Sequence, residues 1–114
     1  MEGNLQDRTK QFAKDIIMVV KDFSDNPASR VIINQLLRSA TSVGANTRSA
    51  YRGRSKKEFI AKIGIVIEEA DESQFWLELA SETQLCNNDT IEDLKKEANE
   101  LVSIFTSISK KSKE

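Results

Sequence analysis

The sequence predicts an all-α protein, an antiparallel up-down-up-down bundle of four helices. Three observations carry that prediction. Apolar residues recur at three- and four-residue steps through four successive segments. Glycine and proline together number only five in 114 residues. The breaks between periodic segments are short, which favours neighbouring antiparallel helices over separate coiled-coil hairpins, the other arrangement such stripes could build. A chain of this length has room for one ordinary core, so residues 1–114 are expected to form a single domain with short frayed termini. Its stability should rest on burying facing stripes, at roughly 25 cal/mol per Å² of apolar surface, because isolated helices are marginal in water.

The first segment runs from about Leu5 to Ser24, with Phe12, Ile16, Val19 and Phe23 on one face. Asp25-Asn26-Pro27 then breaks and restarts the chain: Asn26 can cap the next helix, and Pro27 loses no hydrogen bond at a first helical position. A second helix is expected over Pro27 to Tyr51. Ile32, Leu36, Ser39 and Val43 make one stripe, and Ile33, Leu37, Ala40 and Gly44 a second beside it. So broad a face calls for cover on more than one side, and the small residues Ala40, Gly44 and Ala45 allow close backbone approach.

Gly53 can take a positive φ after the second helix, and Ser55 with Glu58 has the spacing of a capping box. The third helix then extends from about Lys56 to Thr83 through Phe59, Ile63, Val66, Ala70, Leu77 and Ala80, widened by Ile60, Gly64 and Ile67. Gly64 costs roughly 1 kcal/mol against Ala in an exposed helix interior, which argues for a close packing contact there. Asn87-Asn88-Asp89 separates the last two helices. Asp89 and Glu92 repeat the capping spacing, and Ile91, Leu94, Ala98, Leu101, Phe105 and Ile108 give the cleanest stripe in the chain. The polar tail SKKSKE is expected to fray.

Apolar residues make up 39% and charged residues 31% of the chain, the balance of a soluble protein with long solvated helix faces. No apolar run is long enough for a membrane span, and the opening MEGNLQDRTK contains no signal-peptide core, so cytoplasmic residence without a membrane partner is the expectation. Cys86 is the only cysteine and histidine is absent. That removes disulfides, CxxC pairs, Ser-His-Asp and Cys-His nucleophile systems and the imidazole ligands of zinc. No catalytic residue, cofactor or metal ligand is assigned, and the chain is expected not to be an enzyme.

Six basic residues, Arg48, Arg52, Arg54, Lys56, Lys57 and Lys62, face one acid, Glu58, where helices two and three meet. Guanidinium groups can fork onto phosphate oxygens and Tyr51 can stack on a base, which makes this end a candidate nucleic-acid surface. The plainer reading is a solvated loop with cations placed favourably at a helix C-terminus, and the net charge of −1 supplies no chain-wide attraction to nucleic acid. On helix three Glu68, Glu69, Asp71, Glu72, Glu78 and Glu82 form an acidic cluster. Di-metal bundles place Glu-x-x-His pairs in the core, so this cluster reads instead as a solvated face or a patch for the basic end of a neighbouring subunit. Asn46 lies close to the apolar stripe of helix two and needs a partner, either a backbone group or a polar side chain on another helix. Phe75, Trp76, Leu77 and Leu79 cannot all face one narrow core, so self-association is expected, with Leu37, Ile60 and Trp76 as first contacts.

Residues 39–79 closely resemble the 23S rRNA-intervening-sequence, or S23, family of four-helix bundles. The resemblance is carried by Ser39, Ser42-Val43-Gly44-Ala45-Asn46, Arg54-Ser55, Glu58-Phe59, Gly64, Glu69-Ala70-Asp71-Glu72 and Trp76-Leu77-Glu78-Leu79. It implies a cytoplasmic bacterial protein assembling as a ring-like homopentamer, in a family whose biochemical role is unsettled. A related group assists the reverse transcriptase of diversity-generating retroelements through a markedly basic surface, which this slightly acidic chain resembles less. Relatives often carry Tyr and then Arg-Glu where this chain reads Thr47-Arg48-Ser49, so Arg48 is retained but its carboxylate neighbour is not. The expected function is a non-enzymatic oligomeric assembly or adaptor protein. The alternative is an RNA- or DNA-binding accessory protein using the basic end.

Overall fold

A computed structural model describes the backbone of residues 2–114 and the side chains of residues 5–114. Four helices, α1 (Glu2–Val19), α2 (Pro27–Tyr51), α3 (Lys56–Glu82) and α4 (Thr90–Ser112), form a rod of 45 × 19 × 19 Å. At 1.5 Å of rise per residue, α3 alone spans about 40 Å, so the molecule is one helix long. No helix of the described residues is long and apolar enough to cross a membrane.

Each helix buries the stripe its periodicity marks. Phe12, Ile16 and Val19 of α1, Leu36 and Val43 of α2, Ile63, Val66 and Leu77 of α3, and Leu94, Leu101 and Phe105 of α4 belong to one core. Consecutive helices pack together, and cross-links show their antiparallel sense. Ser39 meets Ser73 and Tyr51 meets Phe59 across α2 and α3. Arg8 near the start of α1 reaches α4, where its guanidinium forks onto Glu97 at 2.7 and 2.8 Å and reaches Glu100 at 3.1 Å.

α2 sits between α1 and α3, as its double stripe requires. On one side a Cβ at Gly44 would lie 3.3 Å from the Thr9 carbonyl oxygen, so glycine lets the α1 backbone approach. On the other, the buried Ser73 hydroxyl donates to Ser39 at 2.8 Å, and Ser39 donates onward to the Leu36 carbonyl at 3.3 Å. Each hydroxyl also lies within hydrogen-bond reach of a carbonyl on its own helix, Ser73 with Glu69 at 2.9 Å and Ser39 with Leu36, and the Ser39–Ser73 bond adds a polar link between α2 and α3.

Several local expectations are corrected. The first helix does not continue to Ser24: it ends at Val19 and tightens through a short 3-10 turn, Val20–Asp22. The Ser24 amide instead bonds the Leu85 carbonyl at 2.9 Å, which fastens the first connection to the third. Asn26 caps α2 through the Ser29 amide at 2.9 Å, and Ser55 caps α3 through Glu58 at 3.1 Å. The Asp89–Glu92 box does not form. Asp89 is already helical, Asn88 accepts from the Thr90 amide at 2.9 Å, and Glu92 turns to Ser81 and Lys95. The tail residues expected to fray continue the helix to Ser112, with Ser109 buried.

Glycines differ from expectation too. Gly53 has no positive φ; a Cβ there would stand 3.2 Å from the Ala50 carbonyl oxygen. The left-handed position is Gln84, φ 59°, after α3. The Leu85 amide bonds the Ala80 carbonyl and the Gln84 amide bonds Ser81, the two hydrogen bonds of a Schellman closure that usually takes glycine. Gly64 makes no packing contact within the chain, since a Cβ there would meet nothing within 4 Å.

Two stability predictions follow from these glycines and this turn, both read as urea unfolding of the isolated subunit. Gly64→Ala gains about 1 kcal/mol from helix propensity alone, whereas Gly44→Ala presses on the α1 backbone, where overpacking costs about 1–3 kcal/mol and outweighs that gain. Gln84→Gly relieves the left-handed strain and stabilises by up to about 1 kcal/mol.

Candidate functional site

The last turns of α2, the four-residue connection and the first turns of α3 build a cationic end. The turn is short because the Arg52 amide bonds Ser49 and the Gly53 amide bonds Ala50, each at 3.2 Å. Glu58 then accepts from the Arg54 amide at 2.8 Å. Glu58, on the first turn of α3, thus accepts from the backbone of the turn and forms no ion pair among the described residues.

Arg48, Arg52, Arg54 and Lys62 line one open groove of about 480 Å³ together with Ala45, Ser49, Gly53 and the carboxylate-bearing Glu58. A second groove of about 330 Å³ lies between α1 and α2. It shares Ala45, Arg48 and Arg52 with the first and adds Lys10, Ala13 and Asp7 from α1. α2 presents only small residues, Gly44, Ala45 and Ser49, to these two grooves beside its arginines. Of the predicted basic residues, Arg48, Arg52, Arg54 and Lys62 are brought together; Lys56 and Lys57 are exposed on the first turn of α3 and line neither groove. Tyr51 is half-buried and packs edge-on against Phe59, with ring centroids 5.2 Å apart. Lys10 was missed by sequence reasoning, although an antiparallel hairpin necessarily sets the first half of α1 beside the last half of α2.

The arginines divide cleanly. Arg8, Arg30 and Arg38 each bind a carboxylate, while Arg48, Arg52 and Arg54 form no ion pair among the described residues. The bundle is correspondingly polar along its length. Residues 45–67 and 105–114, at this end, carry nine basic and two acidic side chains, whereas residues 20–30 and 77–97, toward the other, carry four basic and eight acidic ones. Three guanidinium groups and an ammonium around one groove can bind phosphate or carboxylate anions by charge-assisted hydrogen bonds.

The acidic cluster of α3 is partly consumed inside the chain. Arg38 binds Glu69 at 3.0 Å and also binds Glu72, and the Trp76 indole N–H donates to Glu72 at 2.9 Å. The indole N–H, followed by the Arg38 contact, holds the Glu72 carboxyl below the usual carboxylate range. Among the described residues no group of three or more His, Cys, Asp or Glu side chains is arranged to hold a metal ion. Asn46 finds its partners on its own helix, donating to the Ser42 carbonyl at 3.0 Å and the Ser42 hydroxyl at 2.8 Å; the polar link between helices is Ser39–Ser73. Leu37 and Trp76 are half-buried against the chain's own core, Ile60 is half-buried, and the more exposed large apolar groups are Met18, Val31, Phe75, Ile17 and Ile65.

The Glu72 contacts predict an acid sensitivity of definite sign. A carboxyl with a depressed folded pKa contributes stability above its unfolded value, near pH 4.3, and loses it as pH falls through the folded value. Trp76→Phe removes the indole donor, so acid unfolding followed by circular dichroism should begin at a higher pH in the variant than in the wild type.

The model of the family described as 23S rRNA-intervening sequence protein matches residues 3–107. A crystal structure from Bacteroides thetaiotaomicron VPI-5482, described as a protein with unknown function from the S23 ribosomal protein family, is similar to this chain with a TM-score of 0.85 and 33% identity. The similarity covers 96% of this chain and 99% of the other. No curated protein matches the sequence.

Proposed function

Since the chain belongs to the 23S rRNA-intervening sequence protein family, we propose that it is a non-enzymatic assembly or adaptor protein that works as a homo-oligomer. The observation that carries this reading is the outward face of α3. Ile65 and Phe75 remain 37% and 50% exposed, and at Gly64, next to Ile65 on the same helix, an added Cβ would meet no atom of the chain within 4 Å. A mid-helix glycine with no contact sacrifices helix propensity, and exposed aromatic area sacrifices burial; an approaching subunit accounts for both. The family resemblance favours a ring-like homopentamer in the cytoplasm.

Sedimentation equilibrium of the wild-type chain tests this reading. A mass that is a fixed multiple of the monomer and survives dilution is expected; a monomer at all concentrations contradicts it.

A second reading, an RNA- or DNA-binding accessory role, is favoured by the three unpaired arginines of the groove. With Tyr51 held against Phe59, binding would rest on phosphates rather than base stacking. Neutralising Arg48, Arg52 and Arg54 should then reduce the slope of log affinity against log salt by about 2–3. No detectable binding of RNA or DNA at low salt removes this reading and leaves the first intact.

A further inference from the structure

Two helices of the bundle carry matching, unused surfaces. On α1 the exposed residues Lys10, Lys14 and Ile17 follow one another at steps of four and three, and exposed Lys21 comes four residues later, in the 3-10 turn that ends the helix. On α3 Glu68, Asp71, Phe75 and Glu78 follow at steps of three, four and three, the first three exposed and Glu78 half-buried. Both spacings trace a single stripe along one side of a helix. The order is cation, cation, apolar along α1 with a further cation in its closing turn, and acid, acid, apolar, acid on α3. None of these six charged groups forms an ion pair among the described residues, whereas Glu69 and Glu72 beside them are held by Arg38.

The stripes also lie at equal heights. Gly44 abuts Thr9 and Lys10, and Ser39 meets Ser73. Counting seven residues along the antiparallel α1 and α2 from Lys10 and Gly44 puts Ile17 level with Leu37. Counting two residues along α2 and α3 from Ser39 and Ser73 puts Leu37 level with Phe75. The same counting sets Lys10 level with Glu68, and brings Lys14 to Asp71 and Lys21 to Glu78 within one residue, about 1.5 Å of rise. Consecutive helices are neighbours and α4 returns to α1, so α1 and α3 occupy opposite corners. Their outward stripes point away from each other and cannot meet within one copy.

We propose that the outer stripe of α3 docks on the outer stripe of α1 in a second copy of this chain, in a head-to-tail contact between bundles lying side by side. This rests on the assembly reading above and names the surfaces it uses. Bundles that lie side by side without axial shift bring residues at equal heights face to face. Glu68 and Asp71 then meet Lys10 and Lys14, Glu78 meets Lys21, and Phe75 buries against Ile17. The α1–α2 groove, lined by Gly44 and Ala45 beside Lys10 and Ala13, gives the incoming helix room to seat. Like-charge contact disfavours the alternatives, α1 on α1 and α3 on α3, so the stripes select the head-to-tail pairing.

The test uses Ile17→Lys and Phe75→Lys, both at exposed positions, with circular dichroism to verify that each variant retains the wild-type helix content. By sedimentation equilibrium the wild type should be multimeric and each variant alone monomeric. An equimolar mixture should give a species of twice the monomer mass, because each variant keeps the one face its partner lacks, and growth stops at a single contact. Variants that keep the wild-type mass overturn this interface while leaving the assembly reading standing. A mixture that stays monomeric overturns the head-to-tail pairing. A wild type that is itself monomeric overturns the assembly reading on which the proposal rests.

Discussion

The close seating of α2 between α1 and α3 fixes most of what is useful on this protein's surface. Gly44 gives the α1 backbone its approach, and the Ser39–Ser73 hydrogen bond sets the height of α3. The first contact tolerates no added carbon without displacement of a backbone, and the second is lost if α3 slides, leaving each hydroxyl only the carbonyl of its own helix. Apolar stripes alone would permit such slippage, because Leu36, Val43, Ile63 and Val66 can exchange partners along a helix at modest cost. The small and polar residues convert a generic bundle into one with defined levels. The groove beside the arginines and the equal heights of the outer stripes both descend from that constraint.

Charge is distributed according to the same geometry. Where helices must be held together at their margins, cations are paired: Arg8 links α1 to α4, and Arg38 links α2 to α3. Such half-exposed pairs contribute modestly to stability, and their main effect is to orient the helices they bridge. On the cationic end and on the outer faces of α1 and α3, Arg48, Arg52, Arg54, Lys10, Lys14, Glu68, Asp71 and Glu78 form no ion pair among the described residues. The net charge of −1 conceals this separation, because eighteen acids and seventeen bases nearly cancel while lying on different parts of the surface. Unpaired charge at defined positions provides selectivity for a partner, and the exposed apolar groups between them provide area to bury.

Helix existence and core membership were legible in the sequence because both depend on periodicity, a property of the chain itself. Asn26 and Ser55 were legible as caps because the capping hydrogen bond spans three residues. Features that depend on another helix were not. Glu92 looks like half of a capping box, yet Ser81 and Lys95 compete for its carboxylate. Arg38 is one charge among many until α3 places two carboxylates and an indole beside it. Asn46 on the stripe calls for a partner, either a backbone group or a polar side chain on another helix, and only the structure decides for the Ser42 carbonyl and hydroxyl one turn earlier. The cationic groove was half visible: the run from Arg48 to Lys62 marks it, while Lys10 enters only when α1 is laid against α2. Gln84 left no sequence signal because glycine, the usual mark of a left-handed closure, is missing.

Because both charged surfaces rely on the seating of α2, residue-resolved hydrogen exchange tests the account most directly. The amides of Ala40, Val43, Gly44 and Thr47 should exchange only through global unfolding, as slowly as the best-protected amides of α3 and α4. Exchange of this stretch by local opening while α3 and α4 stay protected would mean that α2 is not the element that sets the levels, and would contradict the account.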